Sequence, residues 1–264
     1  MTDIKAVFFD IDGTLTSFTT HEVPQSTRQA IEALKAKGVK VFIATGRPPS
    51  QMGVVLDRLG IDFDGYMTMT GQYCFDNNGY LERNDISKQD LRIFLDYLRD
   101  NPQIGADFAE EEYVYFNQIT PQIREQYAAL GSTAPSMHID EPRRCLDHAT
   151  YQFSVFVDEA EEQRINDMLP NCRSVRWHPA FCDFIPNDGG KPKGIERFLK
   201  LHGFTREQSM AFGDGGNDTD MLAYAGIGVA MGSGGDKAKA AADYVTAGVD
   251  DDGILKALQH FDVL

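Results

Sequence analysis

The apolar run Ala6-Val7-Phe8-Phe9 stops abruptly at Asp10-Ile11-Asp12-Gly13-Thr14, and this break constrains the fold more than any other feature of the chain. Such a run ending in acids and a glycine predicts a buried strand that opens into a polar loop. The pattern continues downstream. Ala30, Ile31 and Leu34 share one face of a predicted helix over 24–37, Gly38 suits its C-terminal cap, and 39–44 is a second apolar strand ending in Thr45-Gly46-Arg47. A strand, a helix and a strand in that order make a βαβ unit. Met52, Val55, Leu56 and Leu59 then give a further helix a core-facing stripe, and 66–69 is extended.

The last third repeats the alternation, with helices expected over 195–202, 218–224, 237–242 and 253–261 and strands over 210–212, 227–230 and 244–245. The fold class that follows is α/β, a doubly wound parallel sheet. The middle differs. From about residue 81 to 187 the order reads strand, helix, two strands, helix, strand, helix, two strands, so that some strands adjoin in sequence, and Tyr113, Tyr115, Phe116, Trp177 and Phe184 alternate as packing residues of antiparallel strands do. The expected organisation is a core built from 1–81 and 188–264, with an α+β module, 82–187, inserted into it.

Charge narrows the function. Among 264 residues, 25 Lys and Arg face 40 Asp and Glu, a net charge of −15, so the basic surface that nucleic acids or anionic membranes require is missing. No apolar run approaches the roughly 18 residues of a membrane span, and no signal peptide is evident, so a cytoplasmic protein is expected. The four cysteines form no CxxC pair. Cys145 with His148, and His178 with Cys182, have metal-compatible spacings, but neither acquires a second pair to complete a site.

The chemistry gathers at strand ends. Asp10 and Asp12, two residues apart, can hold a hard cation, and crowding of the two acids can keep one protonated near neutrality. Thr45 and the Gly46 amide can hold an anion's oxygens. Lys191, with Lys193 as its competitor, opens a helix and can supply the positive charge that the net balance lacks. Gly213-Asp214-Gly215-Gly216-Asn217-Asp218 places further acids at the carboxyl end of another strand, the edge where open α/β sheets bind ligands. Together these elements suit a phosphoryl group and Mg²⁺.

In this order the motifs Asp10-Ile11-Asp12-Gly13-Thr14-Leu15, Thr45-Gly46-Arg47, Lys191 and Gly213 to Asp218 resemble the haloacid dehalogenase superfamily, and its Cof-type branch in particular. The resemblance implies a Rossmann-like core with an inserted C2 cap that governs substrate choice. It implies Asp10 as the nucleophile that becomes an aspartyl-phosphate and Asp12 as the acid and base. Thr45, Gly46, Arg47, Lys191 and Asn217 would then contact substrate or phosphate, and Mg²⁺ would lie among Asp10, the Asp12 carbonyl, Asp214 and Asp218. Arg47 could equally serve as a structural ion pair. Where that branch commonly carries Asn-Gly-Ala, this chain has Thr70-Gly71-Gln72. In the cap, Arg176, His178 and Asp183 are candidates for selectivity.

The expected activity is Mg²⁺-dependent hydrolysis of a small phosphorylated metabolite, a sugar phosphate above others, by a monomer. A phosphomutase of the same superfamily and a phosphoacceptor that does not turn over are the alternatives.

Overall fold

A computed structural model of the chain describes residues 3–53, 56–57, 60–131 and 134–264. Among these described residues thirteen strands form two sheets: β1 (Ala6–Phe9), β2 (Lys40–Ala44), β3 (Gly65–Thr68), β4 (Tyr73–Asp76), β5 (Gly79–Arg83), β6 (Ala106–Ala109), β7 (Val114–Phe116), β8 (Gln152–Val155), β9 (Cys172–His178), β10 (Phe181–Pro186), β11 (Ser209–Gly213), β12 (Ile227–Ala230) and β13 (Tyr244–Val245). The larger sheet has the order β13-β12-β11-β1-β2-β3-β4-β5. From β13 to β3 every pairing is parallel.

Alternation along β1 explains why both faces are covered. Val7 and Phe9 point into one core with Ala30, Ile31 and Leu34 of the helix Gln25–Ala36 and Ile254, Ala257 and Leu258 of the helix Gly253–His260. Ala6 and Phe8 point into the other core, with Ile195, Phe198 and Leu199 of the helix Lys191–His202 and Met221 and Leu222 of the helix Thr219–Tyr224. A strand buried on both faces reads as a continuous apolar run, as this one does. Met52 is buried and Leu56 packs against the first core, whereas Val55 and Leu59 of the expected stripe lie outside the described residues.

The sheet is not wholly parallel. β4 and β5 extend it antiparallel beyond β3, and β5 carries the core sheet to Arg83. The reversal is made by Met69, Thr70 and Gly71, whose φ values are 47°, 55° and 85°. Three successive residues with left-handed φ turn the chain back at once, where a helical crossover would have kept it parallel.

The smaller sheet, β7-β6-β8-β10-β9, is antiparallel throughout. Phe108, Tyr115, Phe153 and Phe184 on one face pack against Leu91, Phe94 and Leu98 of the helix Lys88–Asp100 and Ile165 of the helix Glu159–Met168. Phe153 stacks on Phe94 at 4.2 Å and on Phe184 at 5.1 Å between ring centroids. The opposite face carries Asp107, Gln152, Ser154 and Asp183 and looks toward the larger sheet. Among the described residues no helix is long and apolar enough to cross a membrane.

The turn after β3 also seats the helix that begins at Lys191. Gly71 is so close to it that a Cβ there would lie 2.5 Å from the Gly190 carbonyl oxygen and 3.1 Å from the Lys191 nitrogen. Gly71→Ala combines that clash with an unfavourable positive φ, and it should lower stability by about 1–3 kcal/mol. Denaturant titration checks this, and a change within about 0.5 kcal/mol, the range of ordinary surface substitutions, would contradict the close approach.

Candidate active site

Parallel pairing brings the motifs together. Phe9 of β1 lies between Ile43 of β2 and Phe212 of β11, so Asp10, Thr45 and Asp214 all emerge at the carboxyl edge of the sheet. The Asp10 amide donates to the Phe212 carbonyl at 3.0 Å, which continues the ladder to the carboxyl edge. Thr45 is fixed from the other side, its amide donating to Met67 O at 2.8 Å.

Lys191, 1% exposed, reaches this edge from the first turn of its helix. Its Nζ donates to Asp10 Oδ1 at 2.8 Å and to Asp218 Oδ1 at 2.5 Å. The second oxygen of Asp218 accepts from the amides of Asp214, at 3.0 Å, and Gly215, at 2.9 Å, so one carboxylate both pairs with the lysine and shapes the glycine loop. Lys193, the rival in sequence, instead pairs with Glu196 on the surface at 2.9 Å.

Asp214 is held by the first motif. Thr14 Oγ1 donates to Asp214 Oδ1 at 3.0 Å, and Gly13, at φ 86°, lies so near that a Cβ would sit 2.2 Å from Asp214 Oδ2. Only a residue without a side chain fits that backbone at that distance. Asn217 Nδ2 lies on the Gly46 side of the pocket, 3.7 Å from where a Gly46 Cβ would be. Asp12 and Arg47 form a two-pronged ion pair, Nε to Oδ2 at 2.7 Å and a terminal guanidinium nitrogen to Oδ1 at 2.8 Å.

The electrostatics follow from burial. Desolvation pushes Asp10 well above the usual carboxylate range, Lys191 opposes the rise, and Asp218 and Asp214 add to it. Asp214 is raised as well, by burial first and by Asp218 second. Burial disfavours the charge on Lys191, yet Asp10 and Asp218 outweigh it and lift the ammonium above its ordinary value. Arg47 behaves alike, with Asp12 overcoming the cost of burial.

Asp10, Asp214 and Asp218 each offer a carboxylate oxygen within 4.8 Å of the others. An all-oxygen, anionic donor set at the end of a sheet fits a hard divalent cation such as Mg²⁺. The four cysteines are buried and free, and among the described residues no His/Cys group forms a comparable cluster.

A cavity of about 470 Å³ lies over this edge, lined from below by Asp10, Asp12, Thr45 and Arg47 and from above by residues of the smaller sheet. Several lining groups give no signal in sequence. Gln152 of β8 donates to the Gly46 carbonyl at 3.3 Å and accepts from Thr70 Oγ1 at 3.1 Å, tying the upper sheet to the Thr45–Gly46 turn. Trp177, expected as packing, lines the cavity and donates its indole N–H to Asp183 at 3.0 Å. His178 and Asp183 also line it. Arg176, unlike His178 and Asp183, is not among the residues that line the cavity: it pairs with Glu162 and donates to the carbonyls of Val157, at 2.8 Å, and Pro179, at 2.9 Å, inside the module. Its charge is consumed by structure before a ligand arrives.

Residues 7–258 match the family model of haloacid dehalogenase-like hydrolases. Among curated relatives, the Bacillus subtilis protein YkrA, which carries a phosphatase name, is 31% identical over 99% of both chains. Two solved structures are similar over nearly their whole length. The haloacid dehalogenase subclass IIB sugar phosphatase BT4131 is 39% identical at a TM-score of 0.90, covering 98% of this chain and 100% of its own. The phosphatase BT1666 of Bacteroides thetaiotaomicron is 33% identical at 0.89, covering 99% of this chain and 96% of its own.

Burial and Asp218 raise the Asp214 carboxyl to about 7, so cation binding at the cluster displaces a proton from it. Mg²⁺ affinity should therefore rise with pH across neutrality, with net proton release. Calorimetric titration in buffers of different ionisation heat measures this, and heats independent of the buffer would contradict it.

Proposed function

The chain belongs to the haloacid dehalogenase-like hydrolases, in their Cof-type branch, and from that premise we propose that it is a Mg²⁺-dependent phosphatase that releases inorganic phosphate from sugar phosphates through an aspartyl-phosphate at Asp10. The observation that carries this reading is the Lys191 ammonium lying between Asp10 and Asp218, with Asp214 beside them. That arrangement supports reading Asp10 as the nucleophile, Lys191 as its compensating cation and the neighbouring acids as the metal-binding set.

Asp10 attacks phosphorus, and the ester P–O bond breaks. Asp12, as the carboxylic acid, gives its proton to the leaving alkoxide. The resulting Asp12 carboxylate then takes a proton from water, the hydroxide displaces phosphate from Asp10, and the Asp10 carboxylate is restored. Lys191 keeps Asp10 oriented and offsets the charge that accumulates around it. Thr45 and the Gly46 amide bind phosphoryl oxygens, and Asn217 supports them from the facing loop.

Asp12 is held by Arg47 at 2.7 Å, so its acid role requires that pair to open. The incoming phosphoester supplies a competing anion for the guanidinium. Mg²⁺, held by Asp10, the Asp12 carbonyl, Asp214 and Asp218, would supply electrostatic stabilisation of the phosphoryl oxygens.

Residues 82–187 act as a cap in this account. A cavity of about 470 Å³ suits a molecule of hexose size and is closed above by the cap's polar face. Excluding water while the ester bond breaks, then opening for product exchange, is the use of such a cap. The substrates are soluble metabolites, and the protein works in the cytoplasm as a monomer.

Asp10→Asn should reduce Mg²⁺-dependent phosphate release from an aryl phosphate by at least about 10³-fold, as loss of a covalent nucleophile does. Circular dichroism should report an intact fold. Turnover comparable to the wild-type chain would overturn the assignment.

A further inference from the structure

The chain crosses between the two sheets twice, and both crossings pass one buried side chain. On the way out, Asn84 follows β5 and its amide donates to the Gln72 carbonyl at 2.9 Å, while the Ile86 amide already donates to Thr150 O, in the module 82–187, at 2.8 Å. On the way back, Asn187 is still tied to the module, its amide donating to Asn171 O at 2.9 Å and its side chain to Pro170 O at 3.0 Å. Only three residues then separate it from Lys191. Any turn of the module against the core must be absorbed by the backbone of 84–86 and 187–191.

Gln72 holds these two crossings together. It is fully buried, its Oε1 accepts from Asn84 Nδ2 at 3.0 Å, and its Nε2 donates to the Thr70 carbonyl at 3.2 Å. Asn84 Nδ2 has a second proton and gives it to Asp188 Oδ1 at 3.0 Å, so Gln72, Asn84 and Asp188 form one tie across both crossings. The Gln72 amide also lies against Gly189, where a Cβ would be 2.0 Å from Oε1 and 2.4 Å from Nε2. Gly190, at φ 124°, follows at once, and two glycines in a row are the least restrained backbone such a crossing can have. An alanine at 72, which the Cof-type pattern commonly has there, could make none of these side-chain contacts.

We propose that Gln72 is a hinge clamp: by tying Asn84 and Asp188 together and filling the space beside Gly189, it resists bending at both crossings and holds the module closed over the Asp10 edge. This rests on reading residues 82–187 as a moving cap and adds the side chain that sets how readily the cap of this chain opens. Gln72 is not among the described residues that line the cavity, so it is a positioning residue and acts through the crossings.

The chain carries its own reporter. Trp177, the only tryptophan, lines the cavity from the cap side, and its Cβ lies 3.6 Å from where a Gly215 Cβ would be, so its exposure follows separation of the cap from the glycine loop. Acrylamide quenching of its fluorescence in the folded protein is the measurement. Gln72→Met keeps the volume and loses both side-chain hydrogen bonds, and Asn84→Ala cuts the same tie from its half-buried partner. Each should raise the quenching constant by about twofold or more, and the double variant should match the larger single effect, because both changes remove one interaction. With a sugar phosphate that the wild-type chain hydrolyses, KM should rise by about threefold or more at nearly constant kcat, since affinity falls in proportion to the closed fraction. Gln152→Ala, which cuts the tie to Gly46 and Thr70, is the reference for a cap released from the core.

Unchanged quenching in folded Gln72→Met and Asn84→Ala, beside a rise in Gln152→Ala, would overturn the clamp and leave the cap reading intact. A fall in kcat at constant KM would assign Gln72 to the placement of Lys191 and would also overturn the clamp. No rise in any of the three variants would make cap and core one rigid body and defeat the cap reading together with the clamp. Asn84 is only half-buried, so a Gln72→Met chain that fails to fold does not remove the test. The fluorescence needs no turnover, and its outcome stands whether or not phosphate is released.

Discussion

Asp10 and Asp218 are buried anions whose charges repel, and the Lys191 ammonium between them, at 2.8 and 2.5 Å, is what allows both to remain at the end of the sheet. These residues come from the first strand, a late helix and a glycine loop. Their meeting depends on β1 lying between β2 and β11 and on Ile195, Phe198 and Leu199 seating the lysine's helix against Phe8 and Phe42. Removing the ammonium would leave two desolvated carboxyl groups face to face, and one of them would have to take up a proton. The apolar cores therefore matter to function through one consequence: they hold a charged triad that would separate in a looser fold.

Much of this triad was legible in the sequence because each member stands at a strand–loop or loop–helix junction marked by glycine, acid or hydroxyl residues. Asp10, Thr45, Lys191 and Asp214 all lie at the edge where the reading put them. Three features were not legible, for physical reasons. The antiparallel return at β4 uses positive φ at Met69 and Thr70, side chains that give no local sign of left-handed backbone. An ion pair was one of two readings of Arg47, but its partner, Asp12, depends on side-chain rotamers across two loops. The line of Asp107, Ser154 and Asp183 depends on strand register, which is set by three separated segments pairing and not by any of them alone.

The two sheets divide the work by polarity. The central parallel strands of the larger sheet are buried on both faces, and the acids, Thr45 and Lys191 gather at their carboxyl edge. The smaller sheet buries Phe108, Phe153 and Phe184 on one face and turns its polar face toward that edge. Because side chains alternate along a strand, the groups that line the cavity and those that fill the apolar core behind them belong to opposite faces of the same strands. Gln152 bridges the sheets by touching both Gly46 and Thr70, so the Thr45–Gly46 turn and the polar face of the smaller sheet form one continuous surface.

The central claim is that Asp10 carries the phosphoryl group during turnover. The direct measurement is an acid-quenched single turnover with a sugar phosphate, followed by borohydride reduction of any acyl-phosphate and peptide mass spectrometry. The account predicts modification at Asp10 that appears before free phosphate and decays as phosphate is released. Phosphate release with Asp10 unmodified throughout, or label on a different residue, would contradict it.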